Sequence, residues 1–266
     1  MRIRHILIFA AALAVLAATP AQAATTPRKG VSTITFGGAS QDIKDVGASW
    51  YYNWSSGTGS IAKPAGSEFV PMIWGAANVN AKDLAQAKQQ GKVLLGFNEP
   101  DLAGQAQMPV SKALDLWPQL QGTGLRLGAP AVAGDGDQAG GWLDQFMSGA
   151  ASRGYRVDFI PLHWYGSDFS SKATGQLQSY LQAVYNRYHK PIWLTEYALI
   201  NFSTGKEVCP SQQQQVDFVK ASTAMLEHLS FLERYAWFTL STDGHCSGLY
   251  TGTTPNATGQ AYRAVG

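Results

Sequence analysis

Two glutamates stand at the carboxyl ends of apolar, strand-like runs: Glu99 behind residues 93–98, and Glu196 within residues 192–197. A facing pair of carboxyl groups is what the cleavage of a glycosidic bond requires. One carboxyl must be protonated, to donate to the leaving oxygen, and the other ionised, to attack the anomeric carbon or activate water. Read singly, Glu99 is a helix-capping acid in the turn set by Pro100, and Glu196 an ion-pair partner of a nearby Arg or Lys. Read together, they need a scaffold that sets them across one cavity. Aromatic residues gather at comparable positions in Trp50-Tyr51-Tyr52-Asn53-Trp54, at Trp74, and in His163-Trp164-Tyr165 and Trp237-Phe238. A pyranose offers an apolar face that indole and phenol rings cover well, so Trp54, Trp74 and Trp164 are candidate sugar platforms. Trp117, Trp142 and Trp193 fall inside helical patterns or a strand body and are assigned to the core.

Other chemistries find less support. His163, His189, His228 and His245 show no i, i+4 pair and no zinc spacing, so no metal is expected. His163 reads instead as a residue that orients a sugar hydroxyl or Glu196. No Gly-x-Ser-x-Gly elbow follows a strand. No Gly-rich phosphate loop follows the first strand, so no nucleotide cofactor is expected either.

The elements that must carry these residues alternate. Strand-like runs cover 30–35, 48–53, 69–74, 93–98, 126–131, 157–164, 192–197 and 235–239. Helical spacing covers 81–90, 110–121, 141–153, 177–189 and 212–229, with weaker connections at 41–46 and 55–64. Eight such units predict a parallel sheet, and in one domain of this length a closed (β/α)8 barrel rather than an open doubly wound sheet. In such a barrel the site is built at the carboxyl ends of the strands, and strands four and seven face each other across the mouth.

The first residues read as a signal peptide. Arg2, Arg4 and His5 precede an apolar run at 6–18, too short to span a bilayer, and Ala21-Gln22-Ala23 has the form of a cleavage site. Residues 1–23 are therefore expected to be removed, leaving 24–266 as one catalytic domain, secreted and outside the membrane. The full chain has 20 Lys and Arg against 18 Asp and Glu. Loss of Arg2 and Arg4 leaves the mature chain balanced, which argues against nucleic acid or anionic membrane as partners. A monomer is expected. In an oxidising compartment Cys209 and Cys246 are expected to pair, stabilising the fold by roughly 4 kcal/mol on the chain-entropy view.

The motifs together resemble glycoside hydrolase family 128. The blocks are Trp50-Tyr51-Tyr52-Asn53-Trp54, Phe69-Val70-Pro71-Met72-Ile73-Trp74-Gly75, Leu95-Gly96-Phe97-Asn98-Glu99-Pro100-Asp101, His163-Trp164-Tyr165 and Trp193-Leu194-Thr195-Glu196-Tyr197, in order over nearly all of the mature chain. The resemblance implies a retaining, endo-acting β-1,3-glucanase with Glu99 as acid/base and Glu196 as nucleophile. It further implies that Asn98 binds the sugar 2-hydroxyl, that Tyr165 holds Glu196 ionised, and that Trp237 floors the cleavage subsite. Tyr52, Trp54, Trp74, His163 and Trp164 complete the expected sugar-binding set. The linkage rests on the resemblance alone. A non-catalytic glycan-binding barrel, and a retaining glycosidase or transglycosylase acting on another β-glucan, are the alternatives.

Overall fold

The computed structural model describes residues 28–265; the expected signal peptide lies outside them. Parallel strands alternate with helices along the chain. β1 (Lys29–Ser32) and α1 (Ala39–Asp45) lead to β2 (Trp50–Tyr52) and β3 (Glu68–Phe69), with no helix in the Gly-rich segment 55–64. Then follow α2 (Ala81–Gln90), β4 (Val93–Leu94), α3 (Val110–Gln121), β5 (Arg126–Leu127) and α4 (Trp142–Ser152). The second half is more regular: β6 (Ile160–Gly166), α5 (Ala173–Tyr188), β7 (Ile192–Leu199), α6 (Gln212–Glu227) and β8 (Leu232–Trp237). A hairpin of β9 (Tyr250–Thr251) and β10 (Thr254–Pro255) precedes α7 (Ala257–Arg263), a closing helix that the sequence pattern did not suggest. No helix among the described residues is long and apolar enough to cross a membrane.

The sheet has the order β3-β2-β1-β8-β7-β6, with β4 and β5 paired separately. Single parallel bridges, Met72 to Leu95 and Gly128 to Phe159, join the β4–β5 pair to the two outer edges. The ladders do not form one continuous closed sheet, and β3, β4 and β5 are far shorter than expected. Two local features account for this. Pro71 lacks the N–H that would extend β3. At Gly96 the neighbouring backbone comes so near that a Cβ would meet the carbonyl oxygens of Gly128 and Ala129 at 2.9 and 3.0 Å.

Two apolar clusters lie on the two faces of the strands. The larger one packs alternate strand residues such as Val31, Tyr51, Phe69, Leu194 and Tyr235 against the helices. The smaller one draws Trp50, Tyr52, Val70, Met72, Val93, Leu95, Phe159, Trp193 and Ala236 into one group. Strands from both edges of the sheet contribute to it, so the sheet curls around it. Beside it, at the amino ends of the strands, Arg234 stacks 4.4 Å from the Trp193 ring and pairs with Glu68 at 2.6 Å. Arg126 pairs with Glu233 at 2.7 Å, and Glu233 accepts the Trp193 indole N–H. The opposite, carboxyl ends are left to the polar residues described next.

The helix ends follow local chemistry. Ser211 and Gln214 form a reciprocal capping box on α6, and Asn80 and Asn256 cap α2 and α7. Tyr262 of α7 reaches back to donate to the Gly30 carbonyl at 2.7 Å.

Candidate active site

A cavity of about 1130 Å³ opens at the carboxyl ends of the strands, with Glu99, His163 and Glu196 in its wall. Glu196 reaches it through an irregularity in β7. Leu194 and Tyr197 both face the helices, although they are three positions apart, so strict alternation is broken between them. The register of β7 shifts at this point against β8, and against β6 between Leu162 and His163. Such a bulge turns a side chain to the other face. Here it turns Glu196 into the cavity, level with His163.

Hydrogen bonds then converge on Glu196. Oε1 accepts Tyr52 Oη and Trp54 Nε1, each at 2.8 Å, and Oε2 accepts Tyr165 Oη. Burial first, and the Glu196 charge second, push the Tyr52 and Tyr165 hydroxyls well above their usual range. Both therefore stay protonated and serve as donors. Both oxygens of Glu196 are thereby fixed as acceptors.

Glu99 is held differently. Its backbone has φ 45°, in the left-handed region where a side chain is strained. Its N–H donates to the Ala131 carbonyl at 2.7 Å. Its carboxyl has one side-chain partner, His163 Nδ1 at 2.7 Å. The other ring nitrogen, Nε2, stands 3.3 Å from Glu196 Oε1, close enough for attraction but without hydrogen-bond alignment. Burial lowers the His163 pKa, but the Glu196 charge and the Glu99 hydrogen bond outweigh it, and the net shift is upward. His163 thus lies between the two carboxyls as a group able to share a proton with Glu99.

One oxygen of Glu99 and one of Glu196 lie within 4.8 Å of each other. That is nearer the ~5–5.5 Å of retaining carboxyl pairs than the ~6.5–9.5 Å of inverting ones. With His163 the two acids also present three donor atoms at a spacing a cation could use. The fit is poor, because Glu196 already accepts three hydrogen bonds and both His163 nitrogens face carboxylates.

The family model for the glycosyl hydrolase catalytic core matches residues 33–262. The fold also matches an endo-β-1,3-glucanase of glycoside hydrolase family 128, subgroup I, from Amycolatopsis mediterranei, in complex with laminaritriose. Sequence identity is 67%, over 90% of this chain and 99% of that one, with a TM-score of 0.89. The chain belongs to glycoside hydrolase family 128. A more distant member, a subgroup VII oligosaccharide-binding protein from Trichoderma gamsii, is 26% identical with a TM-score of 0.71, over 92% of this chain and 96% of that one. Alkali-sensitive linkage protein 1 of Schizosaccharomyces pombe is 34% identical over 217 residues, which is 77% of this chain and 37% of that protein. The chain therefore spans little more than a third of the length of that curated relative.

Within this family 128 protein, Trp54, Trp74, Asn98, His163, Trp164 and Tyr165 all line the cavity with the two glutamates. Asn98 donates to Gln105 Oε1 at 3.2 Å and leaves its own Oδ1 without a partner. Tyr52 is fully buried beneath and meets the cavity's wall through its hydrogen bond to Glu196. Trp164 is also stacked on Phe218 of α6, 5.7 Å between centroids. Trp237 lies elsewhere than expected: it is fully buried, packs on Tyr197 and Tyr262, and donates to the Ser247 carbonyl. Phe238 lines the cavity in its place. Alternation along the strand accounts for this. Ala236 belongs to the inner cluster, so Phe238 continues that face while Tyr235 and Trp237 turn to the helices. Cys209 and Cys246 form a disulfide, joining the loops after β7 and β8.

Proposed function

We propose that this protein is a secreted, endo-acting β-1,3-glucanase working by double displacement with retention. One observation carries the reading: a carboxylate held by three converging hydrogen bonds lies within 4.8 Å of a second, strained carboxyl in the same cavity. The substrate class follows from the 67% identity to an endo-β-1,3-glucanase crystallised with laminaritriose.

In the first step a Glu196 oxygen attacks the anomeric carbon while Glu99 gives its proton to the departing glycosidic oxygen, leaving a glycosyl-enzyme ester. In the second step Glu99, now ionised, takes a proton from water as that water attacks the same carbon, and Glu196 leaves. His163 Nδ1, 2.7 Å from Glu99 Oε1, holds that carboxyl in position through both steps. Asn98 Oδ1 accepts the sugar 2-hydroxyl, a contact that strengthens as the transition state forms. Trp54, Trp74, Trp164 and Phe238 offer apolar surface to the sugar rings. A sugar hydroxyl replacing water in the second step would give transglycosylation.

The scaffold we propose is a (β/α)8 barrel, closed through the Met72–Leu95 and Gly128–Phe159 bridges, with residues 24–266 as one monomeric catalytic domain. The residue 1–23 leader and the Cys209–Cys246 bridge support export to an oxidising compartment.

The test is product analysis on laminarin, curdlan, barley mixed-linkage glucan and carboxymethyl cellulose, with the anomeric configuration of fresh product read by proton NMR. Short β-linked oligosaccharides from the β-1,3 substrates are expected. Initial α-products would remove the nucleophile role from Glu196. A glycan-binding role is the second reading, favoured by the oligosaccharide-binding relative of the same fold. Binding of laminari-oligosaccharides with no cleavage of any substrate would establish it.

A further inference from the structure

The loops after β7 and β8 form one side of the cavity, and a carboxylate outside the catalytic pair joins them. Glu207 Oε1 accepts the backbone N–H of Cys246 at 2.7 Å, and Oε2 meets His245 Nδ1 at 3.0 Å. The Cys209–Cys246 disulfide ties the same two loops, and an Asn201–Val208 antiparallel bridge folds the first into a hairpin. His245 lines the cavity, with its ring 4.7 Å from that of Phe238. Phe238 meets the edges of Tyr165 at 5.3 Å and Trp54 at 6.0 Å, and both of these donate to Glu196.

Glu207 does more than hold two loops together, a task the disulfide already performs. A carboxylate on Nδ1 engages that nitrogen, fixes the ring's orientation and leaves Nε2 for another partner. Among the described residues no group bonds to Nε2. A half-buried imidazole, held by an aromatic ring on one side and a carboxylate on the other, costs little further entropy when it meets a ligand.

The geometry points to His245 as a substrate-contacting residue, hydrogen-bonded through Nε2 to a hydroxyl of the bound glucan, with Glu207 as its positioning residue. The ligand class rests on the glucanase reading above; the contact itself does not require turnover.

Calorimetric titration of laminarihexaose into the Glu196→Gln protein measures the contact without cleavage. In that background His245→Ala and Glu207→Ala are each expected to weaken binding about tenfold. Combined, they should weaken it no more than His245→Ala alone, because Glu207 acts through the ring. Glu207→Gln should recover part of the loss, since its amide oxygen can still accept Cys246 N–H. His245→Gln replaces the alanine variant if that one does not fold. Unchanged affinity in folded His245 variants overturns the contact, and additive losses overturn the positioning role. Cleavage of laminarihexaose by the wild-type protein, followed in parallel, separates the two claims. A protein that binds through His245 but never cleaves leaves the contact standing and removes the glucanase reading. Cleavage with KM unmoved by His245→Ala does the reverse, and a protein that neither binds nor cleaves overturns both.

Discussion

The side of the sheet built from β6, β7 and β8 and the side built from β3, β4 and β5 hold their glutamates in different ways. The first has strands of seven, eight and six residues, paired over most of their length and interrupted by the bulge beside Glu196. The second has three strands of two residues each, joined onward by single bridges. Glu196 lies on the first, surrounded by donors from β2, β6 and the turn after β2. Glu99 lies beyond the second, on left-handed backbone, with one imidazole as its side-chain partner. A carboxylate that keeps its charge gains from several fixed donors on rigid neighbours. A carboxyl that gives and regains a proton is better served by few fixed donors and one neighbour able to share the proton.

The strongest way to break this comparison is to neutralise each acid in turn. Glu196→Gln should lower kcat on laminarin by about 10⁴-fold or more whatever the leaving group. Glu99→Gln should cost about 10²–10⁴-fold on laminarin but little on an aryl glycoside whose leaving group needs no proton. Identical losses on both substrates would remove the difference in role. Tyr165→Phe deletes one charge-assisted hydrogen bond to Glu196 and should reduce kcat/KM by roughly 10–100-fold, since such bonds contribute about 1.5–3 kcal/mol. An unaffected rate would mean that the remaining donors suffice.

Two further changes separate the sides by stability. Replacing Cys209 and Cys246 by serine should lower the melting temperature by about 5–10 °C, following a loss of roughly 2–4 kcal/mol. Calorimetry of the two forms reads this directly. Gly96→Ala puts a methyl group against two backbone carbonyls on the Glu99 side and should cost about 1–3 kcal/mol in urea unfolding. An unchanged midpoint would show that the β4–β5 pair can move apart.

The smallest effect concerns pH. The His163 pKa is raised in the folded protein, so the charged imidazole adds stability below its unfolded pKa near 6.5. That addition is lost as pH rises through the higher folded value. The wild-type advantage over His163→Gln should therefore be greatest near pH 5–6 and shrink above neutrality, measured by thermal shift across the range. A constant difference would argue that His163 stays neutral.

Much of this site was legible before any coordinates. Glu99 and Glu196 behind apolar runs, with Trp54, Trp74 and the His163–Tyr165 segment at comparable strand ends, depend only on alternation and element order. Four features were harder to read. The turn of Glu196 into the cavity needs a bulge, and nothing in Leu194-Thr195-Glu196-Tyr197 marks one until its neighbours are known. The exchange of Trp237 for Phe238 is a one-residue error of phase, which reverses every side chain of a strand. The brevity of β3, β4 and β5 goes with Pro71, which apolar patterning passes over, and with the close approach at Gly96, a tertiary fact. Glu207 lay in a segment without apolar period, where sequence reasoning has little purchase.

The left-handed backbone of Glu99 has a bearing on how this protein can change. Of the five non-glycine residues with positive φ among the described residues, three, Trp54, Glu99 and Asp135, line the cavity. Glycine would relax Glu99 by roughly 1 kcal/mol. Under the proposed mechanism that same substitution ends catalysis. A lineage freed from turnover could thus drift towards a sturdier, inert descendant at this position, and natural chains of this fold with glycine or asparagine there would be the ones to examine for a retained taste for sugar without the power to cut it.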